Sequence, residues 1–114
     1  MYYTYILLCR DGSLYTGIAA DIDKRMKEHF TGSIRAAKYT RSHPPKALAA
    51  VWQSDDKSAA SSLEYRIKQL PRIEKLRLID SDDMNVFSGL VDRERYLRED
   101  ISKFGKWDKF DADK

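Results

Sequence analysis

Cysteine is almost absent from this chain: Cys9 is the only one among 114 residues. No internal disulfide can form, and the composition fits a reducing compartment, so a cytoplasmic protein is expected. Cys9 lies in a strand-like run and is expected to be a buried thiol. Histidine is scarce too, with two residues, and a zinc site is not expected from so few ligands. No apolar run is long enough to span a membrane, and Tyr2-Tyr3-Thr4 does not read as the start of a signal peptide. Internal repeats and low-complexity tracts are missing, and the length suits one domain rather than two. Acid is missing locally: residues 33–46 hold Arg35, Lys38, Arg41 and Lys46 without a single Asp or Glu. Net charge is only +3, but it is uneven. Residues 1–50 carry 8 Lys/Arg against 4 Asp/Glu, and residues 51–114 carry 13 against 14. The surplus belongs to the N-terminal half, where it permits an anionic partner.

What is present organises around residues 3–29. Tyr3-Thr4-Tyr5-Ile6-Leu7-Leu8-Cys9 and Leu14-Tyr15-Thr16-Gly17-Ile18 flank Asp11-Gly12, a hairpin signal. Strands are expected at 2–9 and 13–19. Parity then matters. A strict two-residue turn would set Tyr5 opposite Ile18 and send Tyr15 to the other face, whereas an odd loop with Gly12 in the left-handed region brings both tyrosines onto one face. The odd loop is the prediction. Asp21 caps a helix over 22–30, with Ile22, Met26 and Phe30 as its buried stripe and Arg25 and His29 flanking it. Taken alone, Arg25 reads as a solvated or ion-paired side chain and His29 as a satisfied semi-buried histidine.

Residues 33–46 read as a basic surface loop closed by Pro44-Pro45, with Tyr39, Thr40, Ser42 and His43 interleaved. Such a loop serves solubility or lies along phosphates. A third strand is expected over 47–53. A helix follows from about Lys57 to Gln69, capped by Asp56 or Ser58, with Ala60, Leu63 and Ile67 inward. Glu64 falls on that inward arc, where an unpaired carboxylate is costly. It needs a cation, water or an i,i+4 pair with Lys68. Pro71 opens another helix with Ile73, Leu76 and Ile79 inward. After a break at Ser81-Asp82-Asp83, the spacing of Leu90, Leu97, Ile101 and Phe104 predicts a C-terminal helix over 90–104. That helix would pack on the domain, on a second copy in a homodimer or on another protein. Residues 105–114 read as a loose tail.

The order Tyr3-Thr4-Tyr5, Tyr15-Thr16-Gly17, Arg25, His29 and Glu64 resembles the GIY-YIG nuclease family, and its small stand-alone bacterial members above all. The resemblance spans about residues 2–80. It departs from the family pattern at Tyr3, Thr4 and Thr16, changes that small members share. It implies an α+β fold, a three-stranded antiparallel sheet flanked by helices, to which the 81–104 segment would be a helical extension. It also implies a Mg²⁺- or Mn²⁺-dependent endonuclease acting on DNA, with DNA repair among the family's settings. Residue by residue, Tyr5 and Tyr15 match the family's tyrosines, one of which acts as general base. Arg25 matches the phosphate-binding arginine, His29 a histidine some members carry, and Glu64 the metal-binding glutamate. Gly17 would allow close substrate approach, and Arg35, Lys38, Tyr39 and Arg41 would follow the backbone of the nucleic acid. A module that keeps the fold and binds nucleic acid without cutting it is the alternative.

Overall fold

The computed structural model describes residues 1–105 and 107. Strands β1 (Tyr2–Cys9) and β2 (Leu14–Ala19) form the expected hairpin, followed by α1 (Ile22–Phe30), a short α2 (Lys38–Ser42), β3 (Pro45–Ser54), α3 (Lys57–Lys68), α4 (Arg72–Ser81) and a two-residue β4 (Leu97–Arg98). Single turns of tighter helix occupy Met84–Phe87, Arg93–Arg95 and Ile101–Phe104. The strand order is β2-β1-β3-β4, and every pairing is antiparallel.

The hairpin settles the parity. Tyr5 lies opposite Gly17 and Leu7 opposite Tyr15, so Tyr5, Tyr15 and Gly17 share one face. The Cys9 amide donates to the Ser13 carbonyl, which leaves three residues in the loop, and Gly12 has φ +86°. Asp11 holds the turn by accepting from the Ser13 amide at 3.0 Å and its hydroxyl at 2.6 Å.

The sheet separates two apolar layers. On one face Tyr5, Leu7, Leu48 and Val51 pack with Ile22 and Met26 of α1. On the other, Ile6, Ala50 and Trp52 pack with Leu63 and Ile67 of α3, Leu78 of α4 and Phe87. Adjacent residues of β1 thus serve opposite layers, as strand alternation requires. Thr4 adds a polar tie by donating to the Ala60 carbonyl in α3 at 2.9 Å. Asp21 caps α1 and Asp56 caps α3, each by accepting a backbone N–H three residues on.

Several expectations need correction. Among the described residues the sheet has four strands, not three, and β3 begins two residues earlier than expected. Part of the basic loop is helical, as α2. No continuous helix forms over 90–104. Asp92 and Asp100 each accept from the backbone N–H two residues on, starting short turns rather than a continuous helix. Between them, Leu97 and Arg98 pair with Gln53 and Trp52. Leu90 and Leu97 are exposed, so the apolar spacing is not a buried stripe and the partner-binding helix it suggested does not exist. In α4, Ile73 and Leu76 are exposed and Leu78 is buried, so the helix is turned about its axis from the expected orientation.

That rotation has a cause beyond α4. Asp82, just past its end, accepts from the Trp52 indole N–H at 2.9 Å. Arg98 donates to the Leu78 and Ile79 carbonyls at 3.1 and 2.8 Å and lies over the Trp52 ring. A cation thus satisfies the open carbonyls of a helix C-terminus. The segment beyond residue 80 completes the second core layer instead of extending from it. Trp107, expected in a loose tail, is docked: its ring packs on Phe30 at 4.9 Å and its carbonyl accepts from the Leu48 amide at 2.6 Å. Residues 106 and 108–114 of that expected tail lie outside the described residues.

Candidate active site

β1, β2 and α1 bring Tyr5, Tyr15 and His29 into one aromatic cluster. Ring centroids are 6.3 Å apart for Tyr5–Tyr15, 5.7 Å for Tyr5–His29 and 5.6 Å for Tyr15–His29. The Tyr5 hydroxyl is 2.7 Å from His29 Nε2, and the other ring nitrogen, Nδ1, is 2.7 Å from Thr40 Oγ1. Tyr5, His29 and Thr40 are all buried, whereas Tyr15 is half-buried. Gly17 explains how the phenols fit. A Cβ there would stand 2.5 Å from the Tyr5 hydroxyl and 2.7 Å from its Cζ. The space that glycine frees is filled by Tyr5, a different use from the substrate approach expected of it.

Burial sets the charge state of this cluster. It raises the Tyr5 phenol well above its usual value of ~10, an effect that Arg25 partly opposes through a side-chain hydrogen bond. Burial first, and the Arg25 charge second, lower His29 to about 4. Both groups are therefore neutral near pH 7. Passing the Tyr5 proton to His29 would run uphill by six pK units or more even for an ordinary phenol, on the order of 8 kcal/mol. The pair is a fixed neutral contact, not a store of charge.

Arg25 is partly exposed. Its Nη1 donates to Glu28 Oε1 at 2.8 Å and to the Arg35 carbonyl at 2.6 Å. Tyr39 of α2 stacks on Tyr15 at 5.6 Å and on His43 at 4.1 Å, and His43 reaches back to Asp11 at 2.6 Å. The basic segment is thereby fastened to the hairpin. Its Arg35, Lys38 and Arg41 are exposed, and Tyr39 is at the surface.

Glu64 reaches the site from a different element, α3. α3 packs on the opposite sheet face, with β2 forming the edge of the sheet on that side. Its carboxylate is partly exposed and pairs with Lys68 at 3.2 Å, the i,i+4 contact allowed for from the sequence. Its charge still raises the Tyr5 phenol, so it acts on the cluster electrostatically. No cluster of three or more metal-ligating side chains occurs among the described residues. A single accessible carboxylate suits a hard cation that keeps most of its own waters, as Mg²⁺ does, and does not suit zinc. Sequence reasoning missed Glu28, which occupies Arg25, and Thr40, which occupies His29. Glu28 was visible as an i,i+3 neighbour. Nothing in the sequence pairs Thr40 with a histidine eleven residues earlier.

Two phenols, an imidazole and a guanidinium gather beside a basic arm on one face of a small α+β domain. The GIY-YIG catalytic domain matches residues 1–77, and the chain belongs to that family. It is 51% identical over 79 residues to a UPF0213 protein of Oceanobacillus iheyensis, covering 69% of this chain and 90% of that one. A UPF0213 protein of Halalkalibacterium halodurans is 45% identical over 78 residues, covering 68% and 81%. The solution NMR structure of a UPF0213 protein from Bacillus halodurans is 40% identical, covers 78% of this chain and 95% of that one, and superposes with a TM-score of 0.47. The names of these relatives state no activity. No helix among the described residues is long and apolar enough to cross a membrane.

Proposed function

We propose that the protein is a Mg²⁺-dependent endonuclease that hydrolyses phosphodiester bonds of DNA. The observation that carries this reading is the packing of both phenols and His29 into one cluster beside a partly exposed arginine, in a chain of the GIY-YIG family. Tyr15 is the general base. It is the half-open phenol, whereas Tyr5 is sealed and hydrogen-bonded to an imidazole that cannot cheaply take its proton. Attack forms a bond from water oxygen to phosphorus and breaks the bond to the leaving sugar oxygen, which departs with the bonding pair and takes a proton from solvent. The water's proton goes to the Tyr15 oxygen. A phenol serves as a base in its deprotonated form. Arg25 changes partner from Glu28 to the phosphate oxygens, using its fork on developing charge. Tyr5 and His29 form a rigid neutral wall that orients the Tyr15 ring. Glu64 would hold the Mg²⁺, which when bound supplies further compensation of phosphate charge. Arg35, Lys38, Tyr39 and Arg41 contact the DNA backbone.

Nicking of supercoiled DNA, with and without Mg²⁺, tests this. Tyr15→Phe, Arg25→Ala and Glu64→Ala are each expected to abolish nicking while anisotropy shows retained DNA binding. Cleavage that survives Glu64→Ala, or that proceeds equally in chelator, would overturn the metal assignment. Binding without cleavage by the wild type across linear, nicked and branched DNA would favour the non-cleaving module.

A further inference from the structure

The hydrogen bonds around His29 have a direction, and it is set outside the aromatic cluster. The Thr40 hydroxyl donates to the Ala37 carbonyl at 3.0 Å, an acceptor that offers no proton in return. Placed on that bond, its one hydrogen leaves the oxygen only to accept from His29. Nδ1, at 2.7 Å, then carries the ring proton. A neutral ring then presents a bare Nε2, so the Tyr5 hydroxyl donates to it across 2.7 Å. With its own hydrogen spent on Nε2, the Tyr5 oxygen is left only as an acceptor.

We infer that Thr40 is a positioning residue: through a one-way chain from the Ala37 carbonyl by way of Thr40 and His29, it fixes the direction of the Tyr5 hydroxyl beside Tyr15. This rests on the nuclease reading only for its catalytic consequence. Reversing the chain shows why the direction matters. If the ring proton sat on Nε2, His29 would donate to Tyr5. The Tyr5 hydrogen would then have to point away from the ring nitrogen, and the phenol would face the Tyr15 side of the cluster as a donor. Thr40 lies in α2, between Lys38, Tyr39 and Arg41. The arm proposed to hold DNA is thus joined through a buried hydroxyl to the phenol beside the proposed general base. Docking of α2 and alignment of Tyr5 become one event.

Thr40→Val keeps the shape of this buried side chain and removes the hydroxyl, and Thr40→Ser restores it. Long-range proton–nitrogen spectra of the imidazoles report the tautomer without any substrate, and His43 is the only other histidine to resolve. The wild type and Thr40→Ser are expected to show His29 protonated at Nδ1 with Nε2 bare, and Thr40→Val to lose that single state. In nicking assays Thr40→Val is expected to lower kcat by about ten-fold or more, a part of the ~10²–10⁴ that an aligned proton-transfer site contributes, with DNA affinity within about three-fold and Thr40→Ser near wild type. A wild-type ring protonated at Nε2 overturns the inference, and so does a Thr40→Val ring identical to wild type. If the ring behaves as expected while the wild type cuts no DNA, the chain of hydrogen bonds stands and the nuclease reading fails.

Discussion

Replacing Gly17 with alanine puts a methyl group where the Tyr5 phenol now lies. The new Cβ would stand 2.5 Å from the hydroxyl, 2.7 Å from Cζ and 3.1 Å from Tyr15 Cε2, against ~3.5–4.0 Å for carbon atoms in comfortable contact. The ring must retreat by about 1 Å. It is completely buried, so it has no open side to retreat into. Overpacking of this kind costs ~1–3 kcal/mol. A shift of that size also breaks the 2.7 Å contact to His29, leaving a buried nitrogen unsatisfied for a further ~1–3 kcal/mol. The sum, ~2–6 kcal/mol, corresponds to a fall in Tm of about 10 °C or more for a domain of this length. Urea and thermal unfolding measure it, and a double-mutant cycle with Tyr5→Phe isolates the cause. Removing the hydroxyl removes the closest contact, so Gly17→Ala should cost ~1 kcal/mol less in the Tyr5→Phe background. A Gly17→Ala protein as stable as wild type, or an equal cost in both backgrounds, would refute the reasoning.

His29 makes stability depend on pH. Its folded pKa is lowered from 6.5 to about 4, so as pH falls the unfolded ring binds a proton first. The contribution is full above pH 6.5 and is lost between there and about pH 4, on the order of 3 kcal/mol in all. Urea melts across that window should show the slope in wild type and a flatter line in His29→Gln. Glu28→Gln should release Arg25 from its 2.8 Å ion pair and steepen the salt dependence of DNA affinity by about one phosphate contact. An unchanged slope in an anisotropy salt series would count against the partner exchange. Trp107→Ala should destabilise by ~2 kcal/mol through loss of packing on Phe30, which thermal unfolding would show.

The N-terminal half was legible because local chemistry and tertiary need agree there. Asp11-Gly12 announces the turn, Asp21 and Asp56 announce helix starts, and alternation places Tyr5 and Tyr15 on one face once the loop is odd. The C-terminal quarter misled for the opposite reason. Leu90, Leu97, Ile101 and Phe104 have helical spacing, yet Asp92 and Asp100 bind nearby backbone and the edge of β3 takes Leu97 and Arg98. That edge exists only in the folded protein, so no periodicity reports it. Glu64 shows a third case. The sequence named both a metal ligand and an ordinary pair with Lys68, and the pair is present at 3.2 Å. Thr40 was invisible because its role depends on a carbonyl, a ring nitrogen and a phenol from three separate segments.

Arg98 and Trp107 bear on how the chain is made. A ribosome that has delivered residues 1–77, the portion the family shares, has delivered every candidate site residue. At that moment the Trp52 ring still lacks Arg98 above it, Asp82 has not reached its indole, and Phe30 still awaits Trp107. The nascent protein therefore has its site residues before it has the cover that secures both core layers. Order at the site should arrive late in synthesis, when the last quarter of the chain closes over a half that was already spelled out.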